Sequence, residues 1–306
     1  MRILIGAALL ATALFAEEKV DLYTINRIKN EAFQNSKVME NAFYLTDVYG
    51  PRLTASPGIQ AAGEWAVRRL NEWGVANAQL EKWGPFGRGW YCVRFSAQMK
   101  EPQYSLLIGF ARPWSPGTNG PLTGEPVLAP IHTEADLEKF KGKLKGKIVL
   151  LETPRPSEPI STTLMPRITD AELAAEALAP DPLPASPFFS PIPSERRQGP
   201  PPYPGYVPGQ PFNREAAQKW RNKVNQFLSD EGALLTLIPG SGTDGGTIFA
   251  TAAGSRELKD AVPPPAVALT LEHYDRIARL IEKKSPSPCN SRLRTAWTPW
   301  RRIPSM

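Results

Sequence analysis

Proline placement limits this chain more than any other feature of its sequence. Proline fixes φ at about −65° and carries no N–H, so it cannot serve inside a helix or a central strand. The chain holds 33 prolines in 306 residues, about twice ordinary usage. Roughly half fall within 153–211, in runs such as Gly199-Pro200-Pro201-Pro202-Tyr203-Pro204. That stretch is expected to form no ladder and no helix beyond a short piece at 170–178. It reads as a long insertion or flap, or as a semi-rigid exposed loop. Regular structure has to be built on either side of it.

On the N-terminal side, Leu22, Ile25, Ile28, Phe33, Val38, Phe43 and Leu45 recur at mostly helical spacing, which predicts one long helix or two stacked ones. Ser56-Pro57 has the form of an N-cap followed by a first-turn proline. The helix it opens carries Ala61, Trp65, Val67, Leu70 and Trp73, and Gly74 is placed to end it. Strands are predicted at 75–83, 90–98, 104–110, 124–130 and 147–152, with one or two helical turns at 135–141. Beyond the proline-rich stretch, Ala216, Trp220, Val224 and Phe227 mark one helix face that ends near Gly232. Strands at 233–238, 247–252 and 266–269 and a helix at 272–284 complete an α/β pattern, with a glycine turn at 240–246.

The first residues, Met1-Arg2 and an apolar run from Ile3 to Phe15, have the form of a secretory signal, with cleavage expected after Ala16. The alternative is an uncleaved anchor. No later stretch is apolar enough to cross a membrane, so a secreted or periplasmic protein is expected. The net charge of +6 comes from Lys139, Lys141, Lys143, Lys145 and Lys147 in one loop-and-strand entry, and from Arg292, Arg294, Arg301 and Arg302 near the C-terminus. No nucleic-acid-binding fold accompanies either cluster, so these read as solvated surface and no nucleic-acid partner is expected. Cys92 is expected as a small buried strand residue, unpaired with the distant Cys289.

Candidate chemistry is sparse. The only two histidines are His132 and His273. A zinc site needs three or four convergent ligands. His132, with Glu134 and Asp136 nearby, reads as a surface loop, and His273 as a helix-surface residue. Gly240-Ser241-Gly242-Thr243-Asp244-Gly245-Gly246 lacks the Lys-Ser/Thr of a phosphate loop and precedes a strand, so it reads as a tight turn. No Gly-x-Ser-x-Gly elbow occurs.

Several stretches nevertheless resemble a known family in order and length. Tyr44-Leu45-Thr46-Asp47-Val48-Tyr49-Gly50-Pro51-Arg52-Leu53-Thr54, Ala66-Val67-Arg68-Arg69-Leu70-Asn71-Glu72-Trp73-Gly74 and Gly84-Pro85-Phe86-Gly87-Arg88-Gly89-Trp90 are similar to carboxypeptidase-Q-like secreted metallopeptidases, metallopeptidase family twenty-eight. The strands from about 106 to 269, including Lys145-Gly146-Lys147-Ile148-Val149-Leu150-Leu151, resemble the protease-associated domain inserted in those enzymes.

The resemblance implies an α/β zinc-peptidase domain begun at 17–100, after a signal peptide at 1–16, and a mainly β protease-associated domain at 101–284 with its proline-rich insertion at 153–211. Such enzymes resemble one another in hydrolysing peptides with two zinc ions, held by His, Asp and Glu downstream of that domain. Neither histidine here matches a ligand position. No catalytic, cofactor-binding or metal residue is therefore assigned, and no cofactor is expected in this chain. Residues 285–306 do not resemble the family, and a frameshifted or mis-terminated reading frame is the expectation. The chain is expected to be the inactive front portion of such an enzyme. A stand-alone protease-associated module that binds peptides or proteins is the alternative.

Overall fold

The structure is a computed structural model that describes residues 20–82, 84–156, 167–178, 203–206, 212–240, 246, 248–249 and 251–283. The expected signal at 1–16, most of the proline-rich stretch, residues 241–245 of the expected glycine turn, Cys289 and residues 285–306 lie outside the described residues. The chain divides into two compact units.

The first unit comprises residues 20–52 and 57–80. Its helical periodicity resolves into α1 (Leu22–Gln34) and α2 (Val38–Phe43), the latter running into a π-helical turn at Tyr44–Val48. The Asp21 carboxylate caps α1 by accepting from the Thr24 N–H at 3.0 Å. Helix α3 spans Pro57–Glu72. Gly74, at φ +78, ends it: its N–H donates to the Asn71 carbonyl and that of Val75 to the Leu70 carbonyl, the paired bonds of a Schellman cap. The strand expected at 75–83 does not form among the described residues. Asn77 turns the chain at φ +59, and Leu80 packs onto Gly63, where a Cβ would stand 2.8 Å from its Cδ2. Stacked rings of Tyr44 and Trp65, 5.3 Å apart, join the π turn to α3.

The second unit is a three-layer α/β structure. A short antiparallel pair, β1 (Gln98–Met99) and β2 (Ser105–Leu106), precedes a five-stranded sheet of β3 (Gly109–Ala111), β4 (Glu125–Leu128), β5 (Lys147–Leu150), β6 (Leu235–Pro239) and β7 (Ala266–Leu269). The sheet order is β3-β7-β6-β5-β4; β3 is antiparallel to β7, and every other pair is parallel. The helices are α4 (Glu134–Phe140), α5 (Asp170–Ala177), α6 (Arg214–Asp230) and α7 (Leu271–Glu282).

Because β5 is covered on both faces, it reads as a continuous apolar run. Ile148 and Leu150 pack with Leu235, Leu237, Val267 and Leu269 against Tyr274, Ile277 and Ala278 of α7. Val149 packs on the other face with Ala129, Leu137, Phe140 and Leu228, so α4 and α6 lie there. Gly232, at φ +70, ends α6 with the same pair of bonds that Gly74 makes.

Three expectations fail here. Residues 90–97 pair with no strand; the first ladder pair is Gln98 with Leu106. Cys92 is consequently exposed, not a buried strand residue. Partial burial still pushes its thiol pKa up. At 247–252 the described residues show an isolated bridge at Phe249 and no strand. Among the described residues no helix is long and apolar enough to cross a membrane.

Candidate functional site

Sheet register decides which charged residues meet. In the parallel pair β4–β5, Leu128 lies opposite Leu150, and the Ala129 N–H donates to the Leu150 carbonyl at 2.8 Å. His132 and Glu152, just beyond these strands, therefore leave the sheet at the same edge. The Glu152 main chain is held there by Tyr274, whose hydroxyl accepts from the Glu152 N–H at 2.8 Å and donates to the Glu152 carbonyl at 2.6 Å. Burial pushes the Glu152 carboxyl above its usual range, opposed by the nearby charges of His132 and Arg112.

Arg112 arrives from the antiparallel edge strand β3. Its Nε donates to the Thr251 carbonyl at 3.0 Å, and its Nη2 to the Ala252 carbonyl at 2.8 Å and Thr251 Oγ1 at 3.4 Å. Burial, together with the charge of Arg221 on α6, pulls the Arg112 guanidinium down to about 10. Farther along α6, the Asn225 side chain donates to the Ala253 carbonyl at 3.0 Å. The segment 251–253 is thus held from two sides. Gln218 and Asn222 of α6 donate to the Asp260 carboxylate at 3.1 and 2.8 Å.

The two histidines are used differently. His273 is half-buried, not a plain surface residue: its Nδ1 accepts from the Ile108 N–H at 2.9 Å. Burial lowers its pKa; among nearby charges, Glu272 opposes that shift and Arg276 reinforces it. Near His132, the Asp136 carboxylate accepts from the backbone N–H groups of His132 and Thr133 and from the Thr133 hydroxyl, at 3.0, 2.9 and 2.8 Å. Glu134 forms an ion pair with Lys223. Both acids are thereby committed to holding α4, while the buried His132 Nε2 has no hydrogen-bond partner.

These donors do not fit a zinc centre. A zinc ion takes three or four converging ligands; among the described residues no three His, Cys, Asp or Glu side chains converge. Glu152 instead feels the charges of His132 and Arg112, and Arg112 that of Arg221. Sequence reasoning missed Arg112 and Glu152. The legible signal was that each ends a compact apolar run, Leu-Ile-Gly-Phe-Ala-Arg and Lys-Ile-Val-Leu-Leu-Glu.

No protein-family model matches the chain, and no curated protein matches it in sequence. Solved structures similar to it include a peptidase M28 precursor from Shewanella amazonensis, at 16% identity and a TM-score of 0.45 over 90% of this chain and 49% of that one. An aminopeptidase from an Aneurinibacillus species gives 14% identity and 0.38, over 88% of this chain and 46% of that one. A zinc aminopeptidase from Bacillus subtilis gives 11% and 0.41, over 85% of this chain and 42% of that one. The chain thus spans about half the length of these proteins, or less. The α/β assignment rests on the chain's own sheet and helices.

Proposed function

We propose that this chain supplies the leading helices and the protease-associated module of a secreted zinc-dependent exopeptidase, and that by itself it does not hydrolyse peptides. The quoted stretches at 44–54, 66–74, 84–90 and 145–151 support the family reading, and the domain limits 17–100 and 101–284 belong to it. Zinc and the peptide substrate enter through that resemblance alone, and no catalytic step is derived through residues of this chain.

One observation carries the reading that the first unit serves a larger assembly. No residue of α1 is buried, and Leu22, Tyr23, Ile28 and Phe33 are 68, 74, 62 and 79% exposed. Burying each such side chain is worth about 1.5–3 kcal/mol, and this many large apolar side chains left exposed on one helix is what a missing packing partner would leave. A self-sufficient binding module would carry polar residues at these positions.

Two measurements on the purified chain test this. The first follows release of amino acids from peptides with zinc added; none is expected, and chelator-sensitive release overturns the claim of inactivity. The second compares thermal melts of the chain and of a triple variant, Leu22→Glu, Ile28→Glu and Phe33→Glu. An unchanged melt is expected. A large loss would mean that these side chains already have a core within the chain, which removes the support for a larger assembly.

A further inference from the structure

Asn119-Gly120 is the single Asn-Gly pair in the sequence. It lies in the bend that leads from β3 towards β4. Asn119 is exposed there, between the buried Thr118 and the partly buried Leu122, which packs against the main core. Gly120 sits at φ +96, and a Cβ on it would meet nothing within 4 Å. Neither the Asn119 side chain nor the Gly120 N–H makes a hydrogen bond among the described residues. Other asparagine side chains are held. Asn35 donates to the Glu31 carboxylate at 2.9 Å, and Asn213 accepts from the Ala216 N–H at 2.9 Å. Asn222 and Asn225 donate to the Asp260 carboxylate and the Ala253 carbonyl at 2.8 and 3.0 Å.

Asparagine is among the thermolabile residues, and here its amide is unheld beside a main-chain nitrogen that no side chain crowds. We propose that Asn119 is a site of spontaneous deamidation. The Gly120 nitrogen attacks Cγ of Asn119, the Cγ–Nδ2 bond breaks, and ammonia leaves with the proton from the Gly120 nitrogen. That nitrogen is then bonded to both carbonyl carbons of residue 119 in a five-membered imide. Water opens the ring at either carbon. Attack at Cγ leaves aspartate; attack at the main-chain carbonyl leaves isoaspartate, with the chain running through the former side chain. Either product replaces a neutral amide by a carboxylate and lowers the formal net charge of +6 by one. Isoaspartate also adds a carbon to the main chain between Thr118 and Leu122, both of which are packed into the fold. This inference does not depend on the peptidase reading, since a chain that hydrolyses nothing would still undergo it.

Ageing the purified full chain in neutral and in mildly alkaline buffer tests it, with ion exchange, peptide mass mapping and labelling by an isoaspartyl methyltransferase as readouts. Acidic forms should accumulate, faster in the alkaline buffer because the attacking nitrogen must give up its proton. Their mass should rise by the difference between an NH2 and an OH group, mapped to residue 119, and part of the product should take the methyl label. Asn119→Gln, whose side chain is longer by a carbon, should lack the product at 119. Because Asn119 is exposed and unbonded, this variant should melt as the parent does. A parallel sample in urea isolates the part played by the fold, and the folded chain should react at a rate close to that of the unfolded one. The proposal is overturned if the urea sample changes at 119 while the folded chain does not, if Asn119→Gln acquires the same acidic forms, or if the change maps first to Asn35.

Discussion

Tyr274 and Glu152 are joined in both directions: one phenolic oxygen accepts from the Glu152 N–H at 2.8 Å and donates to the Glu152 carbonyl at 2.6 Å. The link ties the end of β5 to the first turn of α7, and Tyr274 itself is fully buried. Burial pushes its hydroxyl pKa well up, so the phenol stays neutral and keeps its proton to donate. Tyr274→Phe keeps the ring but strands a buried N–H and a carbonyl. A loss of about 1–3 kcal/mol is expected, read as a lower urea midpoint with unchanged slope.

The contact between His273 and Ile108 predicts a pH dependence. The imidazole must be neutral at Nδ1 to accept the Ile108 N–H, and burial holds its pKa below the ordinary 6.5. Between that lowered value and 6.5 the unfolded chain binds more protons at this site than the folded one. Stability therefore rises with pH through this window and is lost on acidification. His273→Ala should be less stable at neutral pH and should lack this contribution. Urea midpoints at about pH 5, 6 and 7 measure it; an identical pH slope in the variant would contradict the assignment.

Glu152 has the opposite sign. Burial raises its folded pKa above 4.5, so from 4.5 up to the raised value the folded state holds the proton more tightly than the unfolded state. Its contribution to stability falls as pH rises through that window. Glu152→Gln should therefore be more stable than the parent at neutral pH, with the advantage shrinking towards pH 4. A destabilised variant at about pH 7 would show that the carboxylate is paired in the native state.

Gly87 is fixed by backbone geometry. It sits at φ +97, and a Cβ there would stand 2.3 Å from the Arg256 carbonyl oxygen. That same carbonyl accepts the Arg88 N–H at 2.8 Å, while the Arg88 guanidinium donates to the Leu258 and Asp260 carbonyls at 2.6 and 3.1 Å. Gly87→Ala should cost at least about 1–3 kcal/mol, seen as a lower melting temperature, because the loop at 255–260 would have to move away from the clamp.

Much of the secondary structure was legible because it depends on local rules. Gly74 and Gly232 end their helices where the sequence placed them, since few other residues accept positive φ after a helix. The run Ile148-Val149-Leu150 became a strand buried on both faces, as an unbroken β-rich run suggests. The strands expected at 75–83 and 90–98 looked equally plausible in sequence but found almost no partner. A strand needs a neighbour as well as a propensity.

By itself the sequence determined the main helices, the glycine ends of two of them, the apolar strands near 148, 236 and 267 and the scarcity of imidazole, because each follows from residue types and from residues close together along the chain. Only the tertiary structure decided that β3 turns antiparallel onto β7 and that β4 and β5 end in step. The pairing of β4 with β5 is what lets His132 and Glu152 leave the sheet at the same edge. No local pattern encodes that meeting, since it is set by sheet order and register between distant segments.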